Sequence, residues 1–293
     1  MIPSAPYGNS GITLPVLGFG AGLIGDGAMD ENYVGSFLNQ IVDRGITFID
    51  TARGYGLSEE RIGRHLSWRR NDFILSTKVG YSIPGTQDWT YDCIIHGVNT
   101  ALHVMRTDHI DIVHLHSCPA DVLQRGDVIE ALLRTVQEGK VRVAAYSGEN
   151  DALQTALDGR RFGGLMSSIN PFDQKALRNI LPAARVQGLG YIAKRPVGNA
   201  PWRFAERPHG HYCEEYWTRM KTMELDFGNE WQEIALRFSA FAPGVATAIV
   251  GTTNLHHIDE NIRAVERGPL PSDVTQRIMD AFTPFAHQWN GEA

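Results

Sequence analysis

Gly45-Ile-Thr-Phe-Ile-Asp50-Thr-Ala-Arg-Gly-Tyr55-Gly-Leu-Ser58-Glu59-Glu60-Arg-Ile-Gly63 is the stretch on which the reading of this chain turns. Ile46 to Ile49 is a short apolar run bounded by Gly45 and Asp50, the pattern of a parallel strand buried on both faces. The second half is polar and loop-like. Ser58 followed by Glu59 and Glu60 ahead of an apolar periodicity predicts a helix start with serine as its cap. An aspartate ending a buried strand, with a tyrosine five residues on, sets a charge beside a phenol.

Outward from this stretch the chain repeats one unit: apolar strand, polar loop, amphipathic helix. Strands are predicted near Val16–Gly20, Ile46–Asp50, Phe73–Lys78, Ile110–His116, Val141–Tyr146, Gly164–Ile169, Gly188–Lys194 and Val245–Val250. Helices are predicted near Asp30–Arg44, Glu59–Ser67, Tyr91–Met105, Asp127–Glu138, Ala152–Leu157, Gln174–Val186, Trp231–Phe241 and Ile258–Glu266. Eight such units without a linker predict a (β/α)8 TIM barrel, read as a single domain over residues 1–293. Gly8-Asn9-Ser10-Gly11 predicts an N-terminal hairpin closing the barrel bottom. Ser272 to His287 predicts an extra C-terminal helix, and Val197 to Asn229 a long loop after the seventh strand.

Composition limits the partners. Lysine and arginine number 27 against 33 acidic residues, a net charge of −6 spread without long runs of one sign. That argues against nucleic acid and anionic membrane. The first residues lack the basic start and 7–15-residue apolar stretch of a secretory leader, so none is expected, and no run of about 18 apolar residues occurs in the sequence. Cys93, Cys118 and Cys213 are odd in number and far apart, which predicts reduced thiols in a soluble, cytoplasmic protein.

Gly20-Ala-Gly22-Leu-Ile-Gly25 matches the G-x-G-x-x-G dinucleotide fingerprint, but Asp26-Gly27 follows where a helix should already run. The Rossmann reading is set aside. The glycines are instead read as letting backbone approach a ligand over the barrel mouth.

Catalytic groups of such a barrel come from the carboxyl ends of strands and the loops after them. That filter leaves Asp50 and Tyr55, Lys78, His116 and Lys194. An ammonium favours the ionised form of a nearby phenol, so Lys78 would ready Tyr55 for proton exchange, with Asp50 holding Lys78 charged. His116 would orient a substrate oxygen, and His114 is read as a hydrogen-bonded layer residue. Tyr81, Trp89 and Trp202 are candidate substrate contacts in an aromatic mouth. His209, His211 and Cys213 lack a fourth candidate nearby, so no metal is expected.

Together these residues resemble the aldo-keto reductase family. Gly45–Gly63 is similar to its Asp-Thr-Ala…Tyr-Gly…Ser-Glu segment, Thr77-Lys78 to its lysine strand and Asp111–His116 to its histidine strand. Arg237-Phe238 and Ile249-Val-Gly251-Thr252-Thr253…Ile258-Asp-Glu260-Asn261 extend the resemblance over nearly the whole chain. It implies Tyr55 as proton donor to a carbonyl, Lys78 and Asp50 as its tuning pair and His116 as the orienting group. It further implies hydride transfer from a nicotinamide cofactor. Ser147 would lie at the carboxamide with Asn170 nearby, Gly251 and Thr252 at the pyrophosphate or ribose phosphate, His257 where an arginine often grips a 2′-phosphate, and Glu260 and Asn261 at the adenine, with Gly20 and Thr253 as further cofactor-binding candidates.

The chain departs from the family pattern in places. Ser147-Gly148 replaces Ser-Asn, Met166 stands for a glutamine, and His257 and Gly251 replace an arginine and a lysine. NADP(H) is ahead of NAD(H) only by family habit, and both stay open. The leading expectation is an NAD(P)-dependent oxidoreductase acting on an aldehyde, ketone or sugar lactol. Beside it stand a non-catalytic cofactor-binding or sensing barrel, and a Schiff-base lyase using Lys78 or Lys194.

Overall fold

The computed structural model describes residues 1–292. A two-stranded antiparallel hairpin, β1 (Ser4–Pro6) and β2 (Thr13–Pro15), precedes eight barrel strands. These are β3 (Leu17–Gly20), β4 (Phe48–Asp50), β5 (Ile74–Val79), β6 (Ile110–His116), β7 (Val141–Ser147), β8 (Gly164–Ser168), β9 (Gly190–Lys194) and β10 (Thr247–Val250). All eight pair in parallel, and β10 closes on β3, giving a (β/α)8 TIM barrel. Every expected strand is present within two residues of its amino end.

Period two decides what the barrel holds. Phe48, Ile112, Val143, Ala145, Met166 and Ile192 face inward and pack with Tyr7, Ile12 and Leu14 of the hairpin region. The hairpin is thus an apolar stopper at the amino end. Two or four residues further along the same strands, the same inner face turns polar: Asp50, Lys78, His114, His116, Ser147, Ser168 and Lys194. Apolar closure below and polar groups above confine chemistry to the carboxyl end.

The helices are α1 (Glu31–Asp43), α2 (Ser58–Leu66), α3 (Tyr91–Val104), α4 (Ala120–Arg125), α5 (Asp127–Gln137), α6 (Asn150–Asp158), α7 (Lys175–Asn179), α8 (Leu181–Val186), α9 (Glu214–Thr222), α10 (Trp231–Ala240), α11 (Leu255–Glu266) and α12 (Ser272–Phe282). Asp30 caps α1 by accepting from Tyr33 N at 2.7 Å, and Thr90 caps α3 through Cys93 N.

Four expectations need correction. The helix expected over Gln174–Val186 is two helices, because Pro182 lacks the N–H that the turn requires and α8 restarts around it. Ser58 does not cap α2. Leu57 holds that position, while the Ser58 hydroxyl donates to Ala21 O at 2.8 Å and bonds Thr51 Oγ1 at 2.8 Å. Ser272 likewise follows its cap, Pro271. The long insertion after β9 is also not bare loop: α9 and Trp231 pack with Phe172, Ile278 and Phe282 into a satellite core shared with α12.

Candidate active site

Asp50, the last residue of β4, is buried on the inner face. Its Oδ1 accepts from Ser76 Oγ at 2.8 Å and its Oδ2 from Lys78 Nζ at 2.6 Å. Lys78 also donates to Thr51 O at 2.7 Å, so two of its three protons are committed. Burial pulls the Lys78 ammonium down, but Asp50 and Tyr55 together outweigh it and hold the pKa above the ordinary lysine value. The remaining face of the ammonium lies 4.9 Å from the centroid of the Tyr55 ring.

Tyr55 is held by backbone. Tyr55 N donates to Ala52 O at 3.0 Å, and Ser58 N returns to Tyr55 O at 3.0 Å. Leu57 N reaches across to Gly25 O at 3.0 Å, tying this loop to the turn after β3. Arg61 reinforces the turn, donating to Ile24 O, Asp26 O and Met29 O while pairing with Glu31. The glycine-rich run after β3 therefore seats the tyrosine loop. A Cβ on Gly25 would lie 1.8 Å from Tyr55 O.

His116 meets Tyr55 edge to face at 5.9 Å between ring centroids. Burial, then the Lys78 and Lys194 charges, push its pKa down to about 3, so the imidazole is neutral near pH 7. Its Nδ1 bonds the Tyr81 hydroxyl at 2.6 Å, and Tyr81 in turn meets Trp89 at 5.9 Å. The four catalytic candidates and two of the three aromatic ones thus converge. The third does not: Trp202 stacks on Trp231 at 5.7 Å in the satellite core, because the insertion folds back on itself. His114 is buried in the layer beneath, where the Tyr146 backbone acts on its ring but no close hydrogen bond to either ring nitrogen forms among the described residues.

The residues expected around a cofactor divide into two groups. Gly251, Thr252 and Thr253 follow β10 beside Gly20 of β3, and Tyr33 fixes this loop by donating to Thr253 O at 2.6 Å. Asn254 caps α11, whose first turn holds no acidic side chain, so the amide end of that helix is electrostatically open to phosphate. His257 bonds Thr252 Oγ1 at 3.2 Å and Glu260 lies 3.3 Å from His256; His256, His257 and Glu260 are exposed and Thr252 is half-buried. Asn261 is buried and accepts from Gln232 at 3.0 Å.

The carboxamide end differs. Ser147 ends β7 on the inner face, in register with His116 and Met166. Asn170 is fully buried, donating to Arg195 O at 3.1 Å and accepting from Phe172 N at 2.9 Å, so its amide already serves the loop after β8.

Beside it lies a cluster in which Lys194, expected from its strand end, meets partners that the sequence did not point to, Glu149 and Asp173. Lys194, driven down by burial, pairs with Glu149 at 3.2 Å. Asp173, pushed up to about 7 by burial and by Glu149, accepts from Glu292 N at 2.9 Å. Gly291 exchanges two 2.9 Å bonds with Asn150, and Arg195 donates to Glu292 O. The segment 290–292 thereby crosses the ends of β7, β8 and β9. These partners lie up to 141 residues apart, so no local pattern announces them.

Among the described residues no three histidine, cysteine or acidic side chains gather as a metal group, and no helix is long and apolar enough to cross a membrane. The aldo/keto reductase family model matches residues 16–282. The chain is 26% identical to L-galactose dehydrogenase of Arabidopsis thaliana over 276 residues, 88% of this chain and 86% of that one. It is 23% identical to a probable voltage-gated potassium channel subunit beta of the same plant, over 93% of each. An aldo-keto reductase of Bacillus halodurans, in its holo form, superposes with a TM-score of 0.83 at 26% identity, covering 96% of each chain. The chain belongs to the aldo/keto reductase family and is an oxidoreductase of that family.

Proposed function

We propose that this chain interconverts a small carbonyl compound and its alcohol with a nicotinamide cofactor, and that Tyr55 handles the proton. The observation that carries the reading is the buried array in which Asp50 binds Lys78 at 2.6 Å and Lys78 faces the Tyr55 ring at 4.9 Å. When bound, the cofactor supplies or receives the hydride; the residues of the chain do the rest. Tyr55 donates its hydroxyl proton to the substrate oxygen, and the ammonium beside it stabilises the phenolate left behind. His116, neutral, hydrogen-bonds the same oxygen and orients it.

The open amide end of α11 and the Gly251–Asn254 loop fit a pyrophosphate. No lysine or arginine occurs between Gly251 and Asn261, and Glu260 pairs with His256 there. That weighs against a strong preference for the 2′-phosphate, since histidine lacks the bidentate grip of arginine. At the other end, Ser147 is the side chain proposed for the carboxamide. Tyr81 and Trp89 would wall the substrate, suiting an aldehyde, a ketone or the apolar face of a sugar lactol.

The committed protons of Lys78 argue against a Schiff base on that lysine, whose amine must be free of such bonds, and Lys194 is engaged by Glu149 at 3.2 Å; borohydride trapping with a carbonyl substrate that labelled either lysine would revive the lyase reading. The intact array argues against a purely sensing barrel.

The test is Tyr55→Phe. Turnover of an aromatic aldehyde such as 4-nitrobenzaldehyde should fall about 10²–10⁴-fold, the range for loss of a general acid. Quenching of tryptophan fluorescence by NADPH and by NADH should be unchanged. A variant that keeps its turnover would remove Tyr55 from the chemistry, and failure of the folded wild type to bind either dinucleotide would remove the cofactor assignment.

A further inference from the structure

We propose that Tyr81 is a positioning residue for His116, its hydroxyl donating to Nδ1 and so fixing the ring proton on Nε2. The Oη to Nδ1 separation is 2.6 Å, and the two rings stack at 5.5 Å with 26° between their planes. Nε2 has no partner among the described residues, which leaves it for a substrate oxygen.

The bond has two possible directions, and they have opposite consequences. If Nδ1–H donated to Tyr81, Nε2 would present a lone pair, and a carbonyl oxygen would meet a second acceptor. If Tyr81 donates, Nε2–H presents a donor. A phenol is the more acidic O–H or N–H of the pair, and an imidazole nitrogen is the more basic acceptor. Both preferences select donation by Tyr81. Burial, then the Tyr55 side chain, raises the Tyr81 pKa above that of an ordinary tyrosine, so the hydroxyl keeps its proton at neutral pH. The charged side chains acting on His116 are Lys78 and Lys194, and both oppose a second ring proton.

The seat of Tyr81 is built into the backbone. Gly80 has φ +142°, and a Cβ there would lie 2.1 Å from the Trp89 ring, so only glycine lets Trp89 lie over the strand end. Trp89 N donates to Gly80 O at 2.8 Å, and its ring meets Tyr81 edge-on at 5.9 Å, interplanar angle 65°. Backing from Trp89 on one side and His116 on the other restricts the ring to an orientation that keeps the 2.6 Å bond. Tyr81 thus acts through His116 rather than only as a wall of the mouth, a consequence that rests on the oxidoreductase reading although the hydrogen bond does not.

The test is long-range ¹H–¹⁵N NMR of the ¹⁵N-histidine-labelled full chain at pH 7.5, with His116 identified by the signals lost in His116→Asn. The expected wild-type pattern is a protonated Nε2 with Nδ1 bearing a lone pair. In Tyr81→Phe, which keeps the ring, the His116 Nδ1 resonance should shift while those of His109 and His256 stay in place. With 4-nitrobenzaldehyde, Tyr81→Phe should lower kcat roughly tenfold, the loss of one positioning hydrogen bond, with cofactor quenching unchanged.

A wild-type spectrum with the proton on Nδ1 would overturn the inference, as would a His116 spectrum unmoved by Tyr81→Phe. The expected spectra in a protein that turns over no carbonyl would leave the tautomer assignment standing and refute the proposed function instead.

Discussion

Gly22 and Gly25 belong to the same G-x-G-x-x-G match, yet alanine should act on them very differently. A Cβ on Gly22 would meet the Tyr55 ring at 3.7 Å, an ordinary contact, and its backbone is already helical (φ −58°, ψ −44°). A Cβ on Gly25 would lie 1.8 Å from Tyr55 O, where side-chain atoms do not approach backbone closer than 3.0 Å. The tyrosine loop must therefore retreat by about 1.2 Å, and the Leu57 N to Gly25 O bond of 3.0 Å resists that movement. Displacement of a catalytic group by about 1 Å costs on the order of 10²-fold in rate. Overpacking at such a contact costs about 1–3 kcal/mol, a loss of roughly 2–5 °C in Tm at this size. Gly25→Ala should accordingly lose most of its kcat and some Tm, while Gly22→Ala should stay within about 0.5 kcal/mol of wild type. Steady-state kinetics and thermal melts on the two variants side by side check this. Equal behaviour of the two alanines, or a Gly25→Ala enzyme with normal kcat, would refute the claim that the glycine run seats the tyrosine loop.

Other consequences can be measured with the same tools. Asp173 has a folded-state pKa of about 7 against an ordinary 3.8, raised by burial and then by Glu149, so its contribution to stability is full below about pH 4 and is lost as pH rises through 7. Asp173→Asn still offers an acceptor to Glu292 N. It should be more stable than wild type at pH 8, by up to about 4 kcal/mol, with the gain gone by pH 4; parallel curves of Tm against pH would contradict this. Arg61 is buried, and Arg61→Met strands three carbonyls and takes from Glu31 one partner, leaving it Arg64 and His65. It should cost about 3–5 kcal/mol in urea unfolding, whereas Arg64→Met, losing a half-exposed pair to the same Glu31, should cost under about 1 kcal/mol. Equal losses would show that the buried guanidinium does not hold the turn.

Much of this site was legible before any coordinates. The strands announce themselves as apolar runs of four to seven residues, and parallel pairing places their carboxyl ends together. Asp50, Lys78 and His116 follow from strand ends alone, and Tyr55 from the loop after one. What failed were assignments that depend on the partner a side chain finds. Ser58 has the composition of a cap but bonds Ala21 and Thr51. Trp202 suits a substrate mouth by type, but Trp231 claims its face.

The sequence by itself determined the barrel, its polar carboxyl end and the identity of the four side chains proposed as catalytic, because periodicity and strand termini are local properties of the chain. The tertiary structure alone decided the tautomer-setting bond between Tyr81 and His116, the buried cluster of Glu149, Asp173 and Lys194, and the crossing of residues 290–292 over three strand ends. Those depend on contacts between segments that only closure of the barrel brings within hydrogen-bond reach, and the directions and strengths of such bonds are set by burial, which no stretch of sequence carries within itself.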